Sequence, residues 1–247
     1  MIKETRQIMG MPIMLMTPDK SVTNENIEEV FSFFTYVDET YSPFIDSSIV
    51  SRINRGELGE PDYTDELREI LAIAKSTKRQ TNGYFDVWHK GIFDPSGIVK
   101  GWAIAEAAKI MAKYTSNFYI EAGGDIQVSG TNDEGNPWKI GVRNPFDRNQ
   151  NVKIVTLKNG AIATSGTAIR GQHIYDPVQG KELNEIASIS VIAPSIIDAD
   201  RMATAAFAMG MKGIYFIEHL AGYEACAVMH DKTVITTMGW HSYEATT

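Results

Sequence analysis

Residues 198–210 read DADRMATAAFAMG. The stretch opens on two acids and runs on as small apolar residues with a single hydroxyl, Thr204. Alanine, methionine and phenylalanine, with no proline or internal glycine, favour a helix of about three turns. The flanks follow another period. SISVIA (188–193) before it and EACAVM (224–229) after it are short runs of apolar and β-branched residues bounded by Pro, Gly or Asp, the pattern of strands. A helix inserted among strands, rather than alternating with each of them, predicts an α+β fold and not a doubly wound parallel sheet.

The rest of the chain supports that class. FYIEA (118–122), DIQVSG (125–130), WKIGVR (138–143) and VKIVTL (152–157) read as further strands, and PIMLMT (12–17) as an early one. EACAVM and KTVITT (232–237) flank His230-Asp231 as a hairpin. Gly123-Gly124, set within a strand pattern, predicts a bulge or a close backbone approach. Helices gather in the first half. Ile27, Val30, Phe31, Phe34 and Val37 recur at helical spacing behind Thr23 or Asn24 as a cap. Leu67, Ile70, Leu71 and Ala74 share a face of a second helix from about Thr64 to Asn82-Gly83, and a third runs from about Ile98 to Tyr114. No repeat, low-complexity tract or linker interrupts the sequence, so residues 1–247 are expected to form one domain.

Composition narrows the partners. The 247 residues are 43% hydrophobic and 22% charged, enough for a sizeable core. A net charge of −8 argues against nucleic acid and against a polybasic membrane surface. Cys226 is the one cysteine, which excludes an internal disulfide and a thiolate zinc site. No apolar run approaches the roughly 18 residues of a membrane span. The N-terminal residues lack a signal-peptide layout and a lipid-accepting cysteine. The expected location is cytoplasmic, or periplasmic and membrane-anchored if a leader has been removed.

Chemistry is expected in four places. A helix starting near Ala199 would make Asp198 its cap and put Asp200 in its first turn, where a carboxylate meets the electropositive helix end. That accounts for both acids without any ligand. Asp200 and Thr204, however, stand four apart on one helix face, and a carboxylate with a hydroxyl there forms half of a hard-cation site. In FDPSGIVKG (93–101), Asp94 precedes a Pro-Ser-Gly turn where Gly97 could present its main chain to a ligand, and Lys100 follows in the first helical turn. An exposed lysine behind an Asp-Pro turn is the alternative. YIEAGGDIQVSG (119–130) brings its glycine pair. ATSGTAIRGQHIYDP (163–177) gathers hydroxyls, Arg170 and His173, an imidazole suited to proton transfer or a structural residue before a turn. Tyr84, Phe85 and Trp88 could line a slot for a flat ring or simply fill the core.

In order, Met9-Gly10-Met11, YSPFIDSSIVSRIN (41–54), NGYFDV (82–87), GIVKGWAIAEAA (97–108), EAGGDIQVSG (121–130), PWKIGVRNP (137–145), AIATSG (161–166), HIYDPVQG (173–180) and DADRMATAAFAMG resemble the ApbE family of flavin transferases. The resemblance spans nearly the whole chain. It implies an α+β fold, FAD as substrate, Mg²⁺ as cofactor, and transfer of FMN to a threonine of an acceptor flavoprotein with release of AMP. Some members hydrolyse FAD to FMN and AMP instead, and a non-catalytic FAD-binding module is a further alternative. Carried over by position, Asp200 and Thr204 stand at the metal's side-chain ligands and Gly97 at its main-chain contact. Met9, Phe44, Tyr84, Phe85, Asp86, Asp94, Lys100 and Ile174 stand at FAD-contacting positions, and His173 at the histidine linked to transfer. Two departures are Phe44, where Trp or Tyr is frequent, and Tyr175, where an aliphatic residue is usual. The lipoprotein leader carried by many members is absent from this sequence.

Overall fold

The computed structural model describes residues 1–166 and 186–245. Its centre is an antiparallel sheet of eight strands. In spatial order these are β1 (Ile2–Ile8), β2 (Met11–Thr17), β5 (Phe118–Ala122), β6 (Asp125–Ser129), β9 (Gly160–Gly166), β10 (Ile186–Ala193), β11 (Glu224–Met229) and β12 (Val234–Thr236). Two short ribbons stand apart: β3 (Trp88–His89) with β4 (Ile92–Phe93), and β7 (Trp138–Asn144) with β8 (Asp147–Leu157). The described helices are α1 (Asn24–Tyr41), α2 (Ile49–Asn54), α3 (Asp65–Gln80), α4 (Ser96–Ala112), α5 (Ile196–Ala208) and α6 (Met211–Glu218). The architecture is α+β, as expected from the helix set between strands.

Both faces of the sheet are covered, and the two-residue period of the strands divides the side chains between them. Phe118, Ile120 and Ala122 of β5 face the helices, with Ala161 and Ala163 of β9 and Ile189, Val191 and Ala193 of β10. Tyr119, Ile126, Val128, Ile162, Ile192 and Cys226 face the other way, toward Trp138, Ile140, Val142, Val155 and Leu157 of the β7–β8 ribbon and toward Trp240. Burial on both faces explains why β10 reads as an almost unbroken apolar run.

Local chemistry sets the helix ends. Thr23 and Asn26 form a reciprocal capping box at α1, and the Thr64 hydroxyl accepts the Leu67 N–H at α3. The helix of the opening stretch begins earlier than expected. Ser195 is its cap, accepting the Asp198 N–H at 3.2 Å and donating to Asp198 Oδ2 at 2.7 Å. Asp198 therefore lies in the first turn and Asp200 in the second. Ser195, directly after Pro194, takes the cap, and the Asp198 carboxylate also holds Arg201 at 2.7 Å. Lys100 likewise sits in the second turn of α4, which starts at Ser96. Gly123-Gly124 is a two-residue hairpin turn, Ala122 pairing with Asp125, rather than a bulge. Both glycines have positive φ, 60° and 98°, the backbone such a turn demands. Met9-Gly10 makes the corresponding turn between β1 and β2, again with both φ positive.

Candidate functional site

α4 and α5 cross on the helix side of the sheet above the ends of β6 and β9. The contact is close because α4 presents Gly101: a Cβ there would come within 3.1 Å of Asp200 and 3.2 Å of the Ile196 carbonyl. The Gly101 N–H donates to Asp200 Oδ2 at 3.0 Å. Gln127 of β6 seats the head of α5 from below, its Oε1 accepting the Ile196 N–H at 3.0 Å.

At this crossing lies a buried ionic cluster. Lys100 Nζ stands 2.5 Å from Asp125 Oδ2 and 3.4 Å from Asp200 Oδ1. The carboxylates are buried, Asp125 at 1% exposure and Asp200 at 3%. Asp125 Oδ1 accepts the Thr164 N–H at 3.0 Å, so each acid has one oxygen tied to the main chain and the other turned to the lysine. One turn along α5, Thr204 Oγ1 lies 3.4 Å from Ser165 Oγ on β9. Burial pushes the Asp200 carboxyl up to about 7; Lys100 opposes that rise and Asp125 adds to it.

The structure thus gathers several of the residues singled out in the sequence. Lys100 and Asp200 are ion-paired. Gly97 packs beside Phe85 and Thr204: a Cβ on it would lie 3.2 Å from the Phe85 ring and 3.8 Å from Thr204 Cγ2. Asp94 accepts the Ser96 N–H at 3.0 Å, shaping the turn into α4. Tyr84 is half-buried beside Phe85. Other positions stand further out. Asp86 binds Lys78 at 2.6 Å and opens on a groove of about 290 Å³ shared with Tyr63, Val87 and Trp88. Met9 occupies the β1–β2 turn and its N–H donates to Asp38 Oδ2 at 3.1 Å. Phe44 is 92% exposed in the α1–α2 connection. His173, Ile174 and Arg170 lie outside the described residues.

Sequence reasoning missed Asp125 as a member of this cluster. A usable signal was present: once Gly123-Gly124 is a hairpin turn, Ile126 and Val128 face the ribbon side and Asp125 must face the helices. Ser165, one of the hydroxyls in ATSGTAIRGQHIYDP, lies on β9 opposite Thr204.

Every donor in the cluster is oxygen, apart from the lysine. Among the described residues, two carboxylates against one ammonium leave the cluster net negative in a buried place. That donor set suits a hard divalent cation which completes its shell with water and phosphate oxygens, so the residues present fit Mg²⁺. Among the described residues, no three His, Cys, Asp or Glu side chains converge. No described helix is long and apolar enough to cross a membrane.

Fold and site together define an α+β protein in which a buried lysine–carboxylate cluster lies where two helices cross over the sheet. The chain belongs to the ApbE family, whose model matches residues 9–93 and 89–227. A FAD:protein FMN transferase of Vibrio cholerae is 34% identical over 128 residues, 47% of this chain and 38% of the relative's length. One of Chlamydia muridarum is 27% identical over 75% of each chain. The match thus spans well under half of the first relative and three quarters of the second. Among solved structures, the ApbE protein of Thermotoga maritima superposes with a TM-score of 0.87 at 20% identity, covering 99% of both chains. The flavin transferase ApbE of Vibrio cholerae gives 0.83 at 21%, covering 98% of both. These likenesses establish the α+β fold.

Proposed function

We propose that this protein is a Mg²⁺-dependent FAD:protein FMN transferase, working as one domain over residues 1–247. It moves the FMN half of FAD onto a threonine hydroxyl of an acceptor flavoprotein and releases AMP. The observation that carries this reading is the pair of main-chain-anchored carboxylates that meet at Lys100, with Thr204 one turn along α5, in a chain whose relatives bear that name.

The diphosphate of FAD would bring about two negative charges to a partly buried cleft, where they need compensation worth several kcal/mol. Asp200 and Thr204 side chains, with the main chain at Gly97, would hold Mg²⁺. That ion supplies Lewis acidity and charge neutralisation to the diphosphate. Lys100, paired with Asp125 and Asp200, would stand among the FAD contacts. Half-buried Tyr84 would offer a ring face to the flavin from over the buried Phe85, with Met9, Phe44, Asp86, Asp94 and Ile174 completing the FAD contacts.

In the transfer step the threonine oxygen attacks the FMN-side phosphorus. The bond from that phosphorus to the bridging oxygen breaks, and AMP leaves with that oxygen. His173 takes the hydroxyl proton, worth on the order of 10² to 10⁴ in rate. Because the residues only position charge around phosphorus, catalysis is mainly electrostatic and orientational.

Incubation with FAD and MgCl₂, with and without an acceptor flavoprotein, tests this by mass spectrometry of acceptor and small molecules. AMP together with an FMN phosphoester on an acceptor threonine is the expected result. Free FMN with no adduct would replace transfer by hydrolysis, and intact FAD would leave only a binding module.

A further inference from the structure

Asp125 and Asp200 share one lysine unequally. With one oxygen of each held by a main-chain N–H, Asp125 Oδ2 and Asp200 Oδ1 are left to converge on Lys100 Nζ, at 2.5 and 3.4 Å. Asp125 is the better buried of the two, and its Oδ2 makes no hydrogen bond besides this ion pair among the described residues. Its strand turns it toward α4, and the Thr164 N–H stops its carboxylate from rotating away.

An ammonium at Asp200 Oδ1 is a rival to any divalent cation using that oxygen, by like-charge repulsion and by occupying the lone pairs. The same ammonium drawn to a neighbouring carboxylate becomes a spectator. We propose that Asp125 is a positioning residue which holds Lys100 off Asp200 and so keeps Asp200 available to the divalent cation.

This rests on the reading of Asp200 as a metal ligand. It differs from a merely structural ion pair in one respect. A structural pair would lower stability when broken, whatever Lys100 does. Here the effect of removing Asp125 on metal binding runs through Lys100 and should vanish with it.

The test is titration calorimetry of the full chain with MgCl₂ and with MnCl₂, without FAD. Asp125→Asn nearly preserves volume and keeps an acceptor for the Thr164 N–H. It should weaken binding about tenfold or more, because Lys100 closes on the one remaining buried carboxylate. Lys100→Met should bind no more weakly than the parent, and the Asp125→Asn/Lys100→Met double variant should recover most of the affinity that Asp125→Asn loses. Unchanged affinity in Asp125→Asn, or a double variant as weak as Asp125→Asn, overturns the inference. Should Asp125→Asn not fold, Asp125→Ser with and without Lys100→Met decides: affinity lost in the single variant and recovered in the double supports the proposal, and equal affinity in the two overturns it. A parent protein that binds neither ion removes the metal reading itself, whereas a binding parent with an indifferent Asp125→Asn removes only the role of Asp125.

Discussion

Asp200 is held by a helix it does not belong to: its Oδ2 takes the Gly101 N–H of α4, and its Oδ1 faces Lys100. A carboxylate buried this deeply gains little for stability, since lifting it out of water costs more than one shared lysine returns. Its cost shows in its titration. The ordinary value of 3.8 rises to about 7 through burial. Between those limits the folded protein keeps a proton that the unfolded chain has already released. Stability contributed by the neutral acid is therefore complete below about pH 4 and is lost as pH rises toward 7. Asp200→Asn should flatten that slope, read as urea midpoints at pH 4.5, 6 and 7.5, while cutting Mg²⁺-dependent FAD turnover by about a hundredfold or more. A variant that turned over FAD normally would take α5 out of the proposed chemistry. An unchanged pH slope would show that Asp200 is ionised throughout.

The crossing of α4 on α5 depends on a side chain that is missing. Gly101→Ala would put a methyl 3.1 Å from Asp200 and 3.2 Å from the Ile196 carbonyl, and the second of these is main chain that cannot swing aside. Overpacking of this kind costs about 1–3 kcal/mol. The better helix propensity of alanine returns up to about 1 kcal/mol. A net loss is expected, seen as a lower urea midpoint at constant m-value, with weaker divalent-cation binding because the Gly101 N–H moves off Asp200. An unchanged midpoint would mean that the helices part freely. Elements with a clear period and a clear cap were legible in the sequence: α1 behind Thr23 and α3 behind Thr64 begin where their hydroxyls sit. The start of α5 was misread because Ser195 and Asp198 are both good caps, and only packing on Gln127 decides between them. β1 gave no apolar alternation, since Glu4 and Arg6 occupy its half-buried positions, Arg6 lying over the Phe31 ring at 4.3 Å. Of the cluster, Lys100, Asp200 and Thr204 could be named from motifs. Strand parity after Gly123-Gly124 gives the face of Asp125, but not its partner, which lies on a helix that only the folded sheet brings beside it.

Closure of the sheet on both faces has a consequence for alkaline stability. Cys226 on β11 and Tyr119 on β5 both face the β7–β8 ribbon, in the smaller of the two apolar layers. Burial pushes the Cys226 thiol from its ordinary 9 up to about 12, and raises the Tyr119 phenol as well, with Glu121 adding to the latter. Both groups are acids whose neutral form the fold prefers. Below about pH 9 neither state has lost the thiol proton and the full stability is present. Above it, the unfolded chain releases protons that the folded chain keeps, so stability falls as pH rises toward 12. A shift of this size corresponds to a few kcal/mol at the far end, with the first part of the loss already visible by about pH 10.5. Cys226→Ala removes the thiol's share. It leaves a small cavity cost that is independent of pH, on the order of 1 kcal/mol. The expected pattern is a parent that loses stability more steeply than Cys226→Ala between pH 8.5 and 10.5, measured by urea denaturation with reductant present. Parallel losses in the two proteins would show that the thiol ionises as easily inside the fold as outside. That would mean the ribbon does not seal this face of the sheet from water.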